Sequence, residues 1–426
     1  ADMGGLLAGD IVSYYVIAQD LVATPNVGSY LAGVVATDVN TVTTHPVAPS
    51  TYTIASTSLS GTYTVGSGGS YPTLTAAIAA YNAACLTGPV TFNLIDPLYS
   101  ASETFPLTIN SNLFASSTNT LTIKTTLANT MITGSSASGI FVFNGADWVT
   151  IDGSIGSTVN TVCPLVRASR DLTIINTNTS TASAVIWLQS IASPINGATN
   201  NTIKNINLTG SLNTQTLFGA GSGSSTISTS SLGINNNFNS FINLNISKTQ
   251  YGLYSQGSSL AAKNTGNVFN LNLMNTPSPN NTKLGGIQLG FEDNATVSGN
   301  LINGITNTTS PDLFGITLGY TAISTTAFIG NEVTNSLVSY NKIDTVSNTG
   351  TFSAVGIGVA NAYTGTNTLY NNMISGVFAN GTSGDYGSGI FLGGGANSTT
   401  KVYFNTVSMS GTGTGGASPT YALAIG

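Results

Sequence analysis

The acidic side chains are the first residues to test for chemistry. Two or three carboxylates on one face can protonate a leaving oxygen and activate water, as glycoside hydrolysis requires. The part of the chain after residue 250 contains six of them: Glu292, Asp293, Asp312, Glu332, Asp344 and Asp385. No pair of them recurs at one phase of the repeat described below, so the sequence predicts no catalytic residue.

Metal and cofactor ligands are equally sparse. Glu292 and Asp293 are the one adjacent acidic pair that we consider for calcium, but neighbours on a strand point to opposite faces, and only a turn would let both reach one ion. We therefore expect no metal and no cofactor. The only histidine, His45, lies in a predicted linker, where we expect it to be solvated. Cys85 and Cys163 have no metal-ligand spacing; a disulfide is one alternative, and two separately buried thiols are the one we expect.

The composition excludes several partners. Only 6% of the 426 residues are charged and the net charge is −6, while Gly, Ser, Thr and Asn fill the polar positions. There is no basic cluster, so nucleic acid is not an expected partner. No apolar run approaches the roughly 20 residues of a membrane helix, so we expect no membrane insertion. The chain begins at Ala1 without a signal segment, which is typical of a mature or excised piece of a longer precursor.

Two anchor residues recur along the second half of the chain. A glycine begins alternating apolar stretches such as GGIQLG and SGIFLG. The glycine anchors are Gly252, Gly286, Gly315, Gly356 and Gly389, with Ala422 in the same place. An asparagine stands beside a second set of short apolar stretches. The asparagine anchors are Asn270, Asn300, Asn341, Asn372 and Asn405.

The spacing of the anchors predicts a solenoid. From each asparagine to the next glycine-type anchor the steps are 16, 15, 15, 17 and 17 residues, whereas from glycine to asparagine they are 18, 14, 26, 16 and 16. Stacked strands must keep register, but a surface loop lengthens at small entropic cost. The runs are short and rich in Val, Ile and Thr, which favours an all-β parallel β-helix with roughly eleven coils over about residues 90–426.

The same pattern predicts local roles for the anchors. Alternation places Ile and Leu inward and the intervening residues outward. We expect the glycines at sharp corners, where a Cβ would clash. We expect the asparagines to tolerate left-handed backbone and to hydrogen-bond the coils above and below.

The N-terminal part differs from the repeats. YPTLTAAIAAYNAACLTG predicts a capping helix over about residues 73–85, with Thr73 as N-cap and an end near Gly88. Pro46 and Pro49 suit a linker. We therefore divide the chain into a partial β-sandwich-like segment with its linker, 1–55, and a β-helix with its capping helix, 56–426.

Several phrases resemble a known module. The capping helix followed by GPVTFNLIDPLYSASETFPLTI, NGADWVTIDGS, RDLTIINTNTS, AVIWLQ and NNTIKNINLTG resembles the right-handed, pectin-lyase-like β-helix modules of large secreted cell-surface proteins of Bacteroidetes, which are exported by type IX secretion. GDIVSYYVIAQD resembles a late strand of an immunoglobulin- or fibronectin-like domain. The resemblance implies an extracellular location at the cell surface, and Asp344 to Val346 resembles an O-glycosylation acceptor with Thr345 as its site.

These observations favour a non-catalytic structural or adhesive protein. As a stalk or adhesin module, it would present polar and aromatic side chains such as Tyr320 and Tyr363 to surface glycans, or pack against neighbouring domains of a larger chain. As a filament subunit, it would self-associate end to end, with its N-terminal strand added to the C-terminal coil of another copy. The alternative is a polysaccharide lyase or glycoside hydrolase of the pectin-lyase-like superfamily.

Overall fold

A computed structural model describes residues 10–23, 25–31, 33–54, 57–156, 168–319, 323, 331–361, 364–380, 386–394, 397–409 and 420–426. Cys163, Tyr320, Tyr363 and Asp385 lie outside these ranges. The chain divides into two compact units: residues 1–59 with 83–87, and residues 60–82 with 88–426. No helix among the described residues is long and apolar enough to cross a membrane.

The first unit contains two small antiparallel strand pairs. Ile11–Tyr14 pairs with Ser50–Thr53, and Val16–Gln19 pairs with Val27–Tyr30. A 3-10 turn, Val39–Thr41, begins at Asp38, whose side chain accepts a hydrogen bond from the Asn40 amide. The described part of this unit is therefore a set of short β pairs.

Three parallel sheets form the second unit, each containing one strand from every coil. Sheet A contains Leu98–Tyr99, Thr130–Gly134, Leu172–Asn176, Ile206–Thr209, Asn245–Ser247, Leu273–Met274, Leu301–Asn307, Lys342–Asn348, Met373–Ala379 and Thr406–Ser408. Sheet B contains Leu107–Asn110, Phe141–Asn144, Ala184–Gln189, Phe218–Gly223, Thr249–Gln256, Thr282–Gly290, Leu313–Leu318, Ala354–Asn361, Gly387–Gly394 and Thr420–Ile425. Sheet C includes Ala84–Leu94, Leu121–Thr125, Val149–Asp152, Thr202–Lys204, Ser240–Ile242, Val268–Asn270, Thr296–Ser298, Leu337–Ser339, Gly365–Tyr370 and Ser398–Tyr403.

This sheet topology confirms the predicted parallel β-helix. The strands of each sheet pair in parallel with the equivalent strands of the neighbouring coils, as Phe269 does with Phe241 on one side and Val297 on the other. The interior is filled by aliphatic and aromatic side chains, and the rings of Phe241 and Phe269 stack 5.3 Å apart at an interplanar angle of 8°. Such columns of like residues maximise buried apolar area along the stack.

Smaller elements decorate the coils. Thr57–Val65 is a further strand, and the only α-helix among the described residues is Leu74–Ala83. The Thr73 hydroxyl accepts a hydrogen bond from the Ala76 amide, as an N-cap residue does. Ile191–Ala192 and Ile195–Asn196 form a hairpin, while Asn264–Thr265 and Glu292–Asp293 form a short parallel pair.

Sheet B departs from the simple inward and outward alternation that the sequence predicts. Residues between its aliphatic side chains are buried too, including Tyr254, Gln288 and Thr317. Segments that follow its strands cover them: Tyr254 Oη donates a hydrogen bond to the Ser231 carbonyl, and Gln288 Nε2 donates one to the Thr229 carbonyl. The outer face of this sheet is therefore a second buried layer.

Candidate functional site

Glu292 and Asp293 do not share a ligand site. They lie on a short strand, with Glu292 fully buried and Asp293 partly exposed. Asp293 Oδ1 accepts hydrogen bonds from Thr334 Oγ1 at 2.6 Å and Asn335 Nδ2 at 2.8 Å. Because adjacent strand residues face opposite ways, one ion cannot reach both carboxylates.

Glu292 belongs to a buried polar cluster. Its Oε1 accepts a 2.5 Å hydrogen bond from Ser255 Oγ, and its Oε2 accepts one from Asn267 Nδ2 at 2.9 Å. Burial raises the pKa of Glu292 to about 7, although hydrogen bonds from Ser255, Asn267 and Asn264 lower it. This carboxyl is therefore an interior structural group whose charge depends on pH near neutrality.

The other predicted acids are also engaged within the fold. Glu332 Oε2 lies 3.9 Å from Lys263 Nζ, and burial lowers the pKa of Lys263. Asp312 accepts hydrogen bonds from two backbone amides, and Asp344 Oδ1 accepts one from Ser375 Oγ at 2.9 Å. Across the described ranges, no three Asp, Glu, His or Cys side chains gather as metal ligands would.

Three further residues that the sequence analysis considered lie apart from one another: His45, Cys85 and Thr345. His45 is exposed, with its Nδ1 3.0 Å from the Pro46 carbonyl oxygen. Cys85 is a half-buried free thiol, and its suggested partner Cys163 is not among the described residues. Thr345 is half-buried on sheet A, with φ +71°, in register between Gly304 and Gly376.

The glycine anchors form a column within sheet B. They lie inside strands and not at corners, and their role is close approach between backbones. A Cβ on Gly315 would lie 2.6 Å from the Gly356 carbonyl oxygen and 2.8 Å from Ile343 Cγ2. Gly252, Gly286, Gly356 and Gly389 would meet the next coil in the same way.

Four asparagine anchors belong to one continuous ladder, here called the asparagine ladder. It contains Asn272, Asn300, Asn341, Asn372 and Asn405. In the last four of these, the side-chain Oδ1 accepts hydrogen bonds from both the backbone amide and the side-chain Nδ2 of the asparagine in the preceding coil. Asn272 Oδ1 accepts from the Leu244 backbone amide. Asn270 lies two residues earlier, half-buried on sheet C, where its Oδ1 accepts from the Ser298 amide. Asn272 takes the ladder position for which we predicted Asn270.

A surface cavity beside sheet B is here called the lateral groove. Its volume is about 470 Å³, within the range of ordinary ligand sites. Its polar lining is Asn144, Gln189, Ser190, Ser224, Ser225 and Ser258, and its apolar lining is Ile191, Ala192, Ile195, Leu232 and Ile234. All of these side chains are uncharged, so the groove offers hydrogen bonds and aliphatic contact.

An amide column leads into the groove along the coil stack. Asn110, Asn144 and Gln189 are in register at the ends of successive sheet B strands. Gln189 Nε2 donates to Asn144 Oδ1 at 2.8 Å, and Asn144 Nδ2 donates to Asn110 Oδ1 at 3.0 Å. Each amide has two N–H groups and two acceptor lone pairs, so the column keeps further capacity for a ligand.

The walls of the groove are fixed by partly buried hydrogen bonds. The hairpin that forms one wall is tied down by Asn196, whose Nδ2 donates to the Gly145 carbonyl at 2.9 Å and to Ser111 Oγ at 3.0 Å. The opposite wall is held by Ser190, whose Oγ accepts from the Ile234 amide at 3.1 Å. Ile195 at the hairpin tip remains 62% exposed. The groove is therefore preformed and open.

Sequence reasoning missed this groove. Its lining comes from five separate stretches between residues 144 and 258, and the hairpin interrupts the repeat. The available signal was the interruption itself, because a non-repeating insertion in a solenoid often carries the binding function.

Comparison with known proteins identifies no family for this chain. No family model matches the sequence, and no curated protein is detectably similar to it. Among solved structures, the surface adhesin PfbA of Streptococcus pneumoniae is 11% identical with a TM-score of 0.29, and the match covers 79% of this chain and 83% of that one. The A-module of the Azotobacter vinelandii mannuronan C-5 epimerase AlgE6 is 13% identical with a TM-score of 0.27, covering 83% and 94%. Endopolygalacturonase I from Stereum purpureum is 15% identical with a TM-score of 0.23, covering 76% and 94%. At these scores none of the three carries a functional conclusion.

Proposed function

We propose that this chain is a non-catalytic adhesive module of a secreted cell-surface protein, and that its lateral groove binds a neutral polysaccharide. The observation that carries the proposal is the lining of the groove. Uncharged amides and hydroxyls line the groove together with aliphatic side chains, which suits a ligand that is rich in hydroxyl groups and also has apolar C–H faces.

The spacing of the amide column supports a chain-like ligand. Asn110, Asn144 and Gln189 lie on successive coils, and coils are about 4.8 Å apart. This rise is close to the length that one hexose adds to an extended polysaccharide. A sugar chain lying along the stack would therefore meet one amide per residue, and its hydroxyls would both donate to and accept from each amide.

Specific roles follow for the lining residues. Gln189 and Asn144 would bind sugar hydroxyls, and the serines at 224 and 225 would bind the opposite edge of the chain. Ile191 and Ile195 would pack against the C–H face of a sugar ring. None of these roles requires proton transfer to the ligand, so we expect binding without turnover.

The first experiment is a panel of soluble neutral polysaccharides, scored for binding and for new reducing or unsaturated ends. We expect at least one to bind, with no new ends. The variant Ile195→Asn removes the exposed wall and should weaken binding about fivefold. Leu113→Asn is the matched control, because Leu113 is an 88% exposed aliphatic residue outside the groove. Equal affinity of the two variants for the polysaccharide would show that the groove is not the binding site. New chain ends would show that the protein is catalytic.

A further inference from the structure

A second surface feature lies at the corner between sheets C and A, away from the groove lining. It consists of Tyr340, Tyr370, Tyr403 and Phe404, here called the aromatic strip. Tyr370 and Tyr403 are in register on adjacent strands of sheet C. Tyr340 and Phe404 directly follow strands of the same sheet and are 58% and 80% exposed.

The rings are arranged in two orientations. Tyr370 and Tyr403 stack with centroids 5.5 Å apart and an interplanar angle of 8°. Tyr340 is turned 77° from Tyr370, and Phe404 is turned 87° from Tyr403. The two rings that lie perpendicular to the stacked pair, Tyr340 and Phe404, are the most exposed rings of the strip.

The backbone at these two rings is strained. Tyr340 has φ +55° and Phe404 has φ +56°, and both directly precede a member of the asparagine ladder. The equivalent positions in neighbouring coils are Gly299 and Asn371, the residue types that adopt left-handed backbone most easily. An aromatic residue there costs on the order of 1 kcal/mol, and such outliers often mark functional positions.

A buried contact does not account for this strain. Leu271 also adopts left-handed backbone at this corner, but it packs over the next coil, where a Cβ on Gly299 would lie 2.8 Å from Leu271 Cδ2. Tyr340 and Phe404 instead project their rings into solvent. Both residues therefore combine left-handed backbone with a ring that is mostly exposed.

Two lysines flank the strip. Lys401 lies two residues before Tyr403 on the same strand, so these two side chains face the same way, and Lys342 lies two residues after Tyr340 at the start of the next strand, Lys342–Asn348. Both side chains are exposed. Aromatic faces bounded by ammonium groups fit a ligand that combines sugar rings with carboxylates.

We propose that the aromatic strip is a second glycan site, independent of the lateral groove, that binds an acidic polysaccharide of uronic acid units. Tyr340 and Phe404 are two coils apart, or roughly 10 Å. This separation is close to the length of one disaccharide, so alternate sugar rings of an extended chain would stack on the two residues. The sugar carboxylates would then lie within reach of Lys342 and Lys401.

The test compares oligogalacturonate with its fully methyl-esterified form, which has the same rings and no charge. Wild-type protein should bind the acid form more tightly, with an affinity that falls as salt rises. The double variant with Tyr340→Gly and Phe404→Gly should bind it about tenfold more weakly. Its unfolding midpoint should be unchanged or higher, because glycine relieves the left-handed strain.

Phe238→Gly is the matched control. Phe238 has φ +56° and is 55% exposed, but it lies at a different corner, so its removal should leave affinity unchanged. Binding by the double variant within about twofold of wild type, or equal binding of the methyl ester, would overturn the proposal. Loss of oligogalacturonate binding in Gln189→Leu would also overturn it, by locating the ligand in the groove. Whether the double variant still binds neutral polysaccharide tests the lateral groove, and hence the proposed function, separately from the aromatic strip.

Discussion

Glu292 is a carboxyl group at a position where the preceding coils have asparagine. In the two preceding coils the equivalent positions are Asn236 and Asn264, which form a second set of stacked amides. Three residues further on, Ala295 occupies a position that is Asn267 in the coil before. Ala295 offers no side-chain acceptor, and Glu292 takes the hydrogen bonds from Asn267 Nδ2 instead. The carboxylate therefore restores acceptors that the alanine removed.

The charge of Glu292 should make stability depend on pH. Its pKa rises from 4.5 to about 7 in the folded protein. A raised carboxyl pKa contributes stability that is complete below pH 4.5 and is lost as pH rises through about 7, by about 3 kcal/mol at most. Denaturant unfolding of Glu292→Gln should show a flatter dependence on pH between 5 and 8. Asp293→Asn, which changes a partly exposed neighbour, should keep the wild-type slope. An unchanged dependence of the free energy of unfolding on pH in Glu292→Gln would show that this carboxyl is not the source of the pH-dependent stability.

Thr345 is held in a backbone conformation that a β-branched residue rarely adopts. Its φ is +71°, and its neighbours in the column are Gly304 at +77° and Gly376 at +63°. Thr345→Gly should therefore raise the free energy of unfolding, by about 1 kcal/mol. Thr306→Gly, on the preceding strand of the same sheet, should lower it, because glycine weakens an extended strand. A lower denaturation midpoint for Thr345→Gly would mean that its side-chain contacts outweigh the backbone strain.

The elements of the stack are joined by the asparagine ladder. Asn341 shows a complete rung: its Oδ1 accepts from the backbone and side-chain amides of Asn300, and its Nδ2 donates to the Val297 carbonyl at 3.0 Å. These groups lie in a corner that is closed to water, so each unmade bond would carry a desolvation cost. The ladder therefore fixes the register of one coil on the next.

Two nearby asparagines test this register. Asn272→Ala should lower the free energy of unfolding by about 2 kcal/mol or more, because it leaves the Leu244 amide and the Phe241 carbonyl without their partner. Asn270→Ala should cost clearly less, since Asn270 is half-buried and its Oδ1 accepts a single hydrogen bond from the Ser298 amide. Chemical denaturation of the two variants measures the difference. Equal costs would contradict the ladder assignment.

The elements show what sequence could and could not predict. The period of about 30 residues gave the parallel β-helix, because stacked strands tolerate no change in spacing. The stretch VFNLNL contains asparagine at both 270 and 272, and spacing alone does not separate residues that share one face of a strand. The glycine column was predicted at corners, but the constraint there is contact with the next coil, which a linear pattern does not contain.

In the second unit as a whole, the repeating strands form a rigid stack, and the segments that interrupt the repeat form the groove on its surface. The hairpin at residues 191–196 and the segment around 224–234 leave sheet B at the same end of its strands and enclose the lateral groove. The aromatic strip arises at another corner from side chains on successive coils. Both of the proposed glycan sites would thus be held by a rigid stack, without any movement of the backbone.

Calorimetric titration of a neutral oligosaccharide into wild-type protein, Gln189→Leu and Gln250→Leu tests the central claim most directly. Both glutamines are half-buried, and Gln250 Nε2 donates to the Gln215 carbonyl outside the groove. We predict that Gln189→Leu weakens binding about tenfold, the loss of one or two hydrogen bonds, and that Gln250→Leu binds as wild type does. Equal affinity for all three proteins would contradict the assignment of the groove as the polysaccharide site.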